Sequence, residues 1–102
     1  MIRHMVHLRF GDTVSLTARA GMFAALDGLR AHLPGVLDYR VFQNISPEIP
    51  VLHGFLDVFW FDFVDAAARD IYLADPAHQA IAARLVAAVR GLDGILVCDV
   101  AV

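Results

Sequence analysis

Four polar side chains interrupt apolar stretches of this sequence, and their types suit acid–base chemistry: His78, Tyr72, His4 and Asp57. His78 has Ile81, Ala82 and Leu85 at i+3, i+4 and i+7, so a helix there puts the ring on its apolar stripe. Asp75 and Pro76 supply an N-cap and a first-position proline, which sets His78 third in the helix, beside the positive end of the dipole. Burial and dipole both disfavour imidazolium, leaving a neutral ring able to take a proton from an acidic carbon. The competing reading is a core histidine bonded to a backbone carbonyl or to Asp75. Tyr72 precedes the Asp75-Pro76 break, and its hydroxyl can donate to an enolate or aldehyde oxygen. Its competing reading is an aromatic packed on the sheet with a wet tip.

The elements that must position these groups alternate. Ile2 to Phe10 reads as a strand with Ile2, His4, Val6, Leu8 and Phe10 on one face and Arg3, Met5, His7 and Arg9 on the other. Ser15 to Leu33 reads as a helix with a stripe of Phe23, Leu26, Leu29 and Leu33, capped by Thr13 or Ser15 and stopped by Pro34-Gly35. Val36 to Asn44 is a second strand. Gly54 to Phe63 is a third, apolar on both faces, with Asp57 set among Phe55, Phe59 and Phe61. Asp65 caps a short helix over 66–73, and a further helix runs from Pro76 to about Val89. Gly94 to Val102 closes the chain as a strand that also looks covered on both sides.

The order β-α-β-β-α-β is the α+β, ferredoxin-like split arrangement with an antiparallel sheet, as one domain over residues 1–102. First and third strands are adjacent in it. A His4–Asp57 contact follows as an expectation, either as a structural polar pair or with Asp57 orienting a histidine. Helices cover one face of such a sheet, so strands apolar on both sides predict a second copy over the open face, a two-fold homodimer. No metal site is expected: His4 and His7 point to opposite faces of one strand, His32 ends a helix and His53 lies in a loop. A haem would need an axial histidine in a large pocket, and no motif specifies one. Cys98 reads as core. The 44–54 loop, with Pro47, Glu48, Pro50 and His53, is a candidate lid.

Composition narrows the partners. Counted with Gly and without Tyr, 65 of the 102 residues, or 64%, are apolar, against about 45–50% in an average soluble domain. The longest stretches free of Asp, Glu, Lys and Arg are Ile49–Leu56 and Pro76–Ala83, far short of the roughly 20 residues of a spanning helix. MIRHMVHLRF has no uninterrupted apolar core and does not read as a signal peptide. A net charge of −3, with no lysine and scattered arginines, argues against nucleic acid. One cysteine suits a reducing, cytoplasmic setting. The apolar surplus points to self-association, a hydrophobic pocket, or both.

MIRHMVHLRF at the start, PGV at 34–36, N-x-SPE at 44–48, DPAHQ at 75–79 and ILVCDV at 95–100 together resemble the stress-responsive A/B-barrel (Dabb) family over nearly the whole chain. The resemblance implies a ferredoxin-like subunit paired into a dimeric α+β barrel. One branch of the family contains polyketide cyclases that close a polyketide by an aldol reaction without a cofactor. By that resemblance Tyr72 and His78 are the catalytic pair and His4 is the first-strand histidine, while a third-strand histidine of some members falls on Asp57. The functional expectation is binding of a small hydrophobic carbonyl compound, with His78 as base, Tyr72 as oxyanion donor, and His4 and Asp57 as substrate-binding groups. The alternatives are a non-catalytic stress-responsive or ligand-carrying dimer, and a cofactor-free monooxygenase-like activity.

Overall fold

A computed structural model describes residues 1–102. Strand β1 (Ile2–Leu8) is followed by helix α1 (Leu16–Gly28), which tightens into a 3-10 turn at Leu29–Ala31. Then come β2 (Val36–Gln43), a short α2 (Ile49–Leu52), β3 (Asp57–Phe63), α3 (Ala66–Ala74), α4 (Pro76–Ala88) and β4 (Ile95–Ala101). The sheet is antiparallel throughout, in the order β2-β3-β1-β4. This is the ferredoxin-like α+β arrangement expected from the sequence, with the second helix in two pieces.

Three of the four helices, α1, α3 and α4, start at a side-chain cap. The Ser15 hydroxyl accepts from the Ala18 amide at 3.1 Å, Asp65 from the Ala68 amide at 2.9 Å, and Asp75 from the His78 amide at 2.9 Å. Asp75 is extended (φ −67°, ψ 126°), as a residue before proline must be, and this separates α3 from α4. Gly35 closes α1's exit with φ +77°, and a Cβ there would lie 2.6 Å from the Ala68 side chain, so the turn needs glycine twice over.

The core lies between one face of the sheet and the helices. Val6 and Leu8 of β1 and Phe59, Phe61 and Phe63 of β3 meet Met22 and Leu26 of α1, Tyr72 of α3, and Ile81 and Leu85 of α4. Each such buried side chain contributes on the order of 1.5–3 kcal/mol. The buried stripe of α1 runs through Met22, with Phe23 only half-buried against Phe10 and Phe59.

Four expectations are corrected. The third strand begins at Asp57, because His53 (φ 52°) and Gly54 (φ 75°) turn the chain in the left-handed region and leave Phe55 outside the ladder. Cys98 is exposed, because β4 is an edge strand and its outward face has no helix over it. The same position leaves Leu96, Val97 and Val100 exposed in the single chain. The 44–54 loop folds partly into α2 and borders the open sheet face with Met5, His7 and Trp60, not the space between sheet and helices.

Candidate active site

A cavity of about 260 Å³ opens between the β1–β4 side of the sheet and helices α3 and α4. Val6, Phe59, Leu73, Leu85, Ile95 and Val97 form apolar walls, and its polar groups are His4, Tyr72, His78 and Asp99. Three of the four candidates from sequence therefore share one cavity.

Tyr72 sits between the two histidines. Its ring packs on His78 at a tilt of 35° with centroids 3.9 Å apart and meets His4 edge-on at 5.6 Å. Phe61 and Phe63 pack against it at 4.8 Å and 5.2 Å. The residue is 1% exposed, and burial above all, with Tyr39 nearby, pushes its hydroxyl well above the usual phenol range. At neutral pH it is a proton-bearing donor.

His78 is half-buried, and its Nδ1 is buried without any hydrogen-bond partner. Burial holds the ring below the usual imidazole range, and His4 acts in the same direction. The carbonyls of Leu73 and Tyr72 and the Asp75 carboxylate work against burial but do not overcome it. The carbonyls do so without the geometry of a hydrogen bond to Nδ1. The backbone amide of His78, not its ring, is what Asp75 binds. Held below its usual range, the ring is neutral near pH 7.

His4 is 5% exposed and its Nδ1 lies 2.6 Å from Oδ1 of Asp99. An ionised carboxylate only accepts, so Nδ1 carries the proton and Nε2 is the nitrogen left to the cavity. The second Asp99 oxygen accepts from Nη1 of Arg69 at 3.1 Å. Asp99 is the partner that the sequence reading missed. Ile95, Val97 and Ala101 alternate onto the inward face of β4 and place Asp99 among them, directly opposite His4 in the β1–β4 register.

The expected His4–Asp57 contact is absent. Opposite His4 on β3 stands Phe61, and Asp57 pairs with Leu8 at the far end of the strand. Asp57 belongs to a separate recess of about 420 Å³ beside α1 and β2. There it accepts from Nη1 of Arg19 at 3.4 Å. Arg19 is engaged in turn: Nε donates to the Val14 carbonyl at 3.1 Å, and the guanidinium lies over the Phe10 ring at 4.9 Å. Burial pushes the Asp57 carboxyl up, against the pull of Arg19.

Together the cavity offers a neutral base, a phenol donor and a carboxylate-held imidazole in an apolar enclosure. That combination can move a proton at a carbon next to a carbonyl and stabilise the oxyanion that forms.

Comparison with known proteins gives the site its context. The model of the stress-responsive A/B-barrel domain matches residues 2–102. Among solved structures, a dimeric ferredoxin-like protein of unknown function from Jannaschia sp. CCS1 is 35% identical, with a TM-score of 0.88 over 99% of this chain and 98% of that one. An Arabidopsis thaliana protein, At3g17210, is 22% identical with a TM-score of 0.87 over 100% of this chain and 95% of that one. The hydroxynitrile lyase of Passiflora edulis is 18% identical with a TM-score of 0.83 over 99% of this chain and 92% of that one. At these lower identities the likeness is one of fold. No significant match is found among curated proteins. By the family model, which spans nearly the whole chain, the chain belongs to the stress-responsive A/B-barrel (Dabb) family.

Proposed function

We propose that this protein is a cytoplasmic homodimer that binds a small hydrophobic carbonyl compound and catalyses cofactor-free proton transfer of the aldol or cyclase type. The observation that carries the reading is convergence: His4, Tyr72 and His78 interrupt one apolar cavity, and the His78 ring has no internal hydrogen bond to satisfy. In this scheme His78 takes a proton from the carbon beside the carbonyl, and the Tyr72 hydroxyl donates to the enolate oxygen. The enolate carbon adds to a second carbonyl, and the alkoxide that results takes a proton back from His78. His4, held by Asp99, supplies a polar wall that orients the substrate. Asp57 takes no part, since its carboxylate lies beside Arg19 in the other recess.

The size of the cavity restricts the ligand. At about 260 Å³ it lies just under the roughly 300–1,000 Å³ of drug-sized sites, which favours a single ring or a short chain. A relative in fold named as a hydroxynitrile lyase makes hydroxynitriles natural members of a substrate panel, because their cleavage also needs a base and yields a carbonyl compound. The test is turnover of small hydroxynitriles, β-ketones and diketones by the purified, metal-free protein. His78→Ala and Tyr72→Phe are each expected to lower kcat/KM by about 10²-fold or more, the typical worth of a positioned acid or base. Unchanged turnover of a confirmed substrate in both variants refutes the assignment. A non-catalytic ligand carrier is the second reading, favoured by the fact that His4 and Asp99 already satisfy each other. It is the outcome if ligands bind without being converted.

The homodimer is supported by the open face of the sheet. Leu96, Val100, Cys98 and Phe42 stand exposed there, and Trp60 Nε1 is buried without an acceptor. A 35% identical relative is described as dimeric. Sedimentation at micromolar concentration should give a dimer, and a stable 11.2 kDa species would end this part of the reading.

A further inference from the structure

Arg69 stands on α3 one turn before Tyr72, half-buried against β4. Its Nε and Nη2 donate to Oδ1 of Asp70 at 3.1 and 3.0 Å, which fixes the plane of the guanidinium. That leaves Nη1 on Oδ2 of Asp99 at 3.1 Å, while the other Asp99 oxygen meets His4 at 2.6 Å. The chain Asp70–Arg69–Asp99–His4 therefore runs from the outer surface of α3 into the cavity wall.

We propose that Arg69 is a positioning residue of the site: by sharing the Asp99 carboxylate it holds His4 with the proton on Nδ1 and with Nε2 free to accept a hydrogen bond from a hydroxyl or enol group of the ligand. The groups that face His4 are Asp99 from β4, Tyr72 and, through Asp99, Arg69 from α3, and His78 from α4; β3 presents Phe61 and Phe63. Arg69 is the one fixed cation among them. Without it, a carboxylate 2.6 Å from an imidazole has no cation to share and draws a second proton onto the ring. Nε2 then changes from acceptor to donor. The cavity also loses the cation that offsets Asp99 and so becomes hostile to a developing oxyanion. The substrate this site suits is thus a carbonyl compound that also carries a hydroxyl or forms an enol.

This inference takes its catalytic meaning from the proposed function, but its test needs no substrate. In ¹⁵N-histidine-labelled protein, the ring nitrogens of His4 report neutral ring against imidazolium directly. Arg69→Gln is expected to bring the imidazolium signature to a higher pH, the direction expected when a neighbouring cation is lost. Arg69→Met, which neutralises the position with a different stem, should agree, and Arg69→Lys should restore at least half of the shift. The side chain is 25% exposed on a helix surface, so these variants should fold, as cooperative unfolding will show. Unchanged His4 titration in both neutral variants overturns the proposal, and so does a shift that lysine fails to reverse. Absent turnover in every form, with the His4 shift present, refutes the catalytic reading and leaves the role of Arg69 standing. Turnover with no shift does the reverse.

Discussion

Two places on the inward face of the sheet carry a buried polar side chain, and they use it oppositely. At one end Asp57 is answered by Arg19, which also gives Nε to the Val14 carbonyl and lays its flat face over Phe10. At the other end His4 is answered by Asp99, yet Tyr72 and the His78 ring beside them keep capacity to spare. Both sites are acid–base pairs on an apolar face. The first ties α1 to the start of β3. The second leaves groups unpaired around a cavity. A buried titratable group is therefore no sign of chemistry by itself; what its neighbours leave unsatisfied is.

If Asp57 is structural, the largest loss of stability comes from removing its partner. Arg19→Met keeps the stem over Phe10 but leaves a carboxylate of 7% exposure without a cation. Breaking a buried ion pair costs about 3–5 kcal/mol. Because this contact is a single 3.4 Å bond to a partly exposed arginine, about 2 kcal/mol is expected at pH 7. The folded-state value of Asp57 is raised, so the folded protein favours the protonated acid. The stability linked to this group is greatest below the ordinary carboxylate value of 3.8 and is lost as pH rises through the higher folded value. The penalty in Arg19→Met should accordingly be largest at neutral pH and shrink toward pH 4. Urea titrations across that range check it, and a pH-independent loss would assign the effect to packing alone. Turnover should survive the substitution wherever the protein stays folded, in contrast to changes at His78.

Much of this architecture is legible in the residues because it rests on local rules. The two-residue alternation from Ile2 to Leu8, the caps at Ser15, Asp65 and Asp75, and the break at Pro76 are decided within one turn or one strand. The meeting of the Tyr72 and His78 rings is set by the same local break, since six residues across the Asp75 cap bring them together, although the sequence alone does not say that they share a cavity. What cannot be read locally is which neighbour answers an inward residue of a central strand. β1 has β3 on one side and β4 on the other, and register, not adjacency, decides that Phe61 and Asp99 face His4 while Asp57 faces Leu8. That register is fixed by the whole length of each ladder, not by any residue next to His4 in the chain. Apolar residues on both faces of β4 read alike for a buried strand and for an edge awaiting a partner, which is why Cys98 looks like core in sequence and stands exposed in the single chain. Arg69 reaches Asp99 from 30 residues away, and its side chain's length hides that reach from any pattern.

The smallest expected effect sharpens the comparison most, because its sign differs. His78→Leu removes a ring whose buried Nδ1 has no partner, so nothing structural of the kind seen at Arg19 is lost with it. Stability at pH 7 should change by no more than about 0.5 kcal/mol, the range of substitutions that break no named interaction. The folded-state value of His78 is lowered, so the stability linked to the neutral ring is present above the ordinary imidazole value of 6.5 and is lost as pH falls through the folded one. Leucine cannot be protonated. As pH falls from 7 to 5, the unaltered protein should therefore lose stability relative to His78→Leu, and the variant should become the more stable of the two. Thermal unfolding at half-unit pH steps measures the crossing. A destabilisation at pH 7 as large as that of Arg19→Met would mean that His78 is held by the core after all. The distinction between the two ends of the sheet would then fail, because each polar group would be serving the fold.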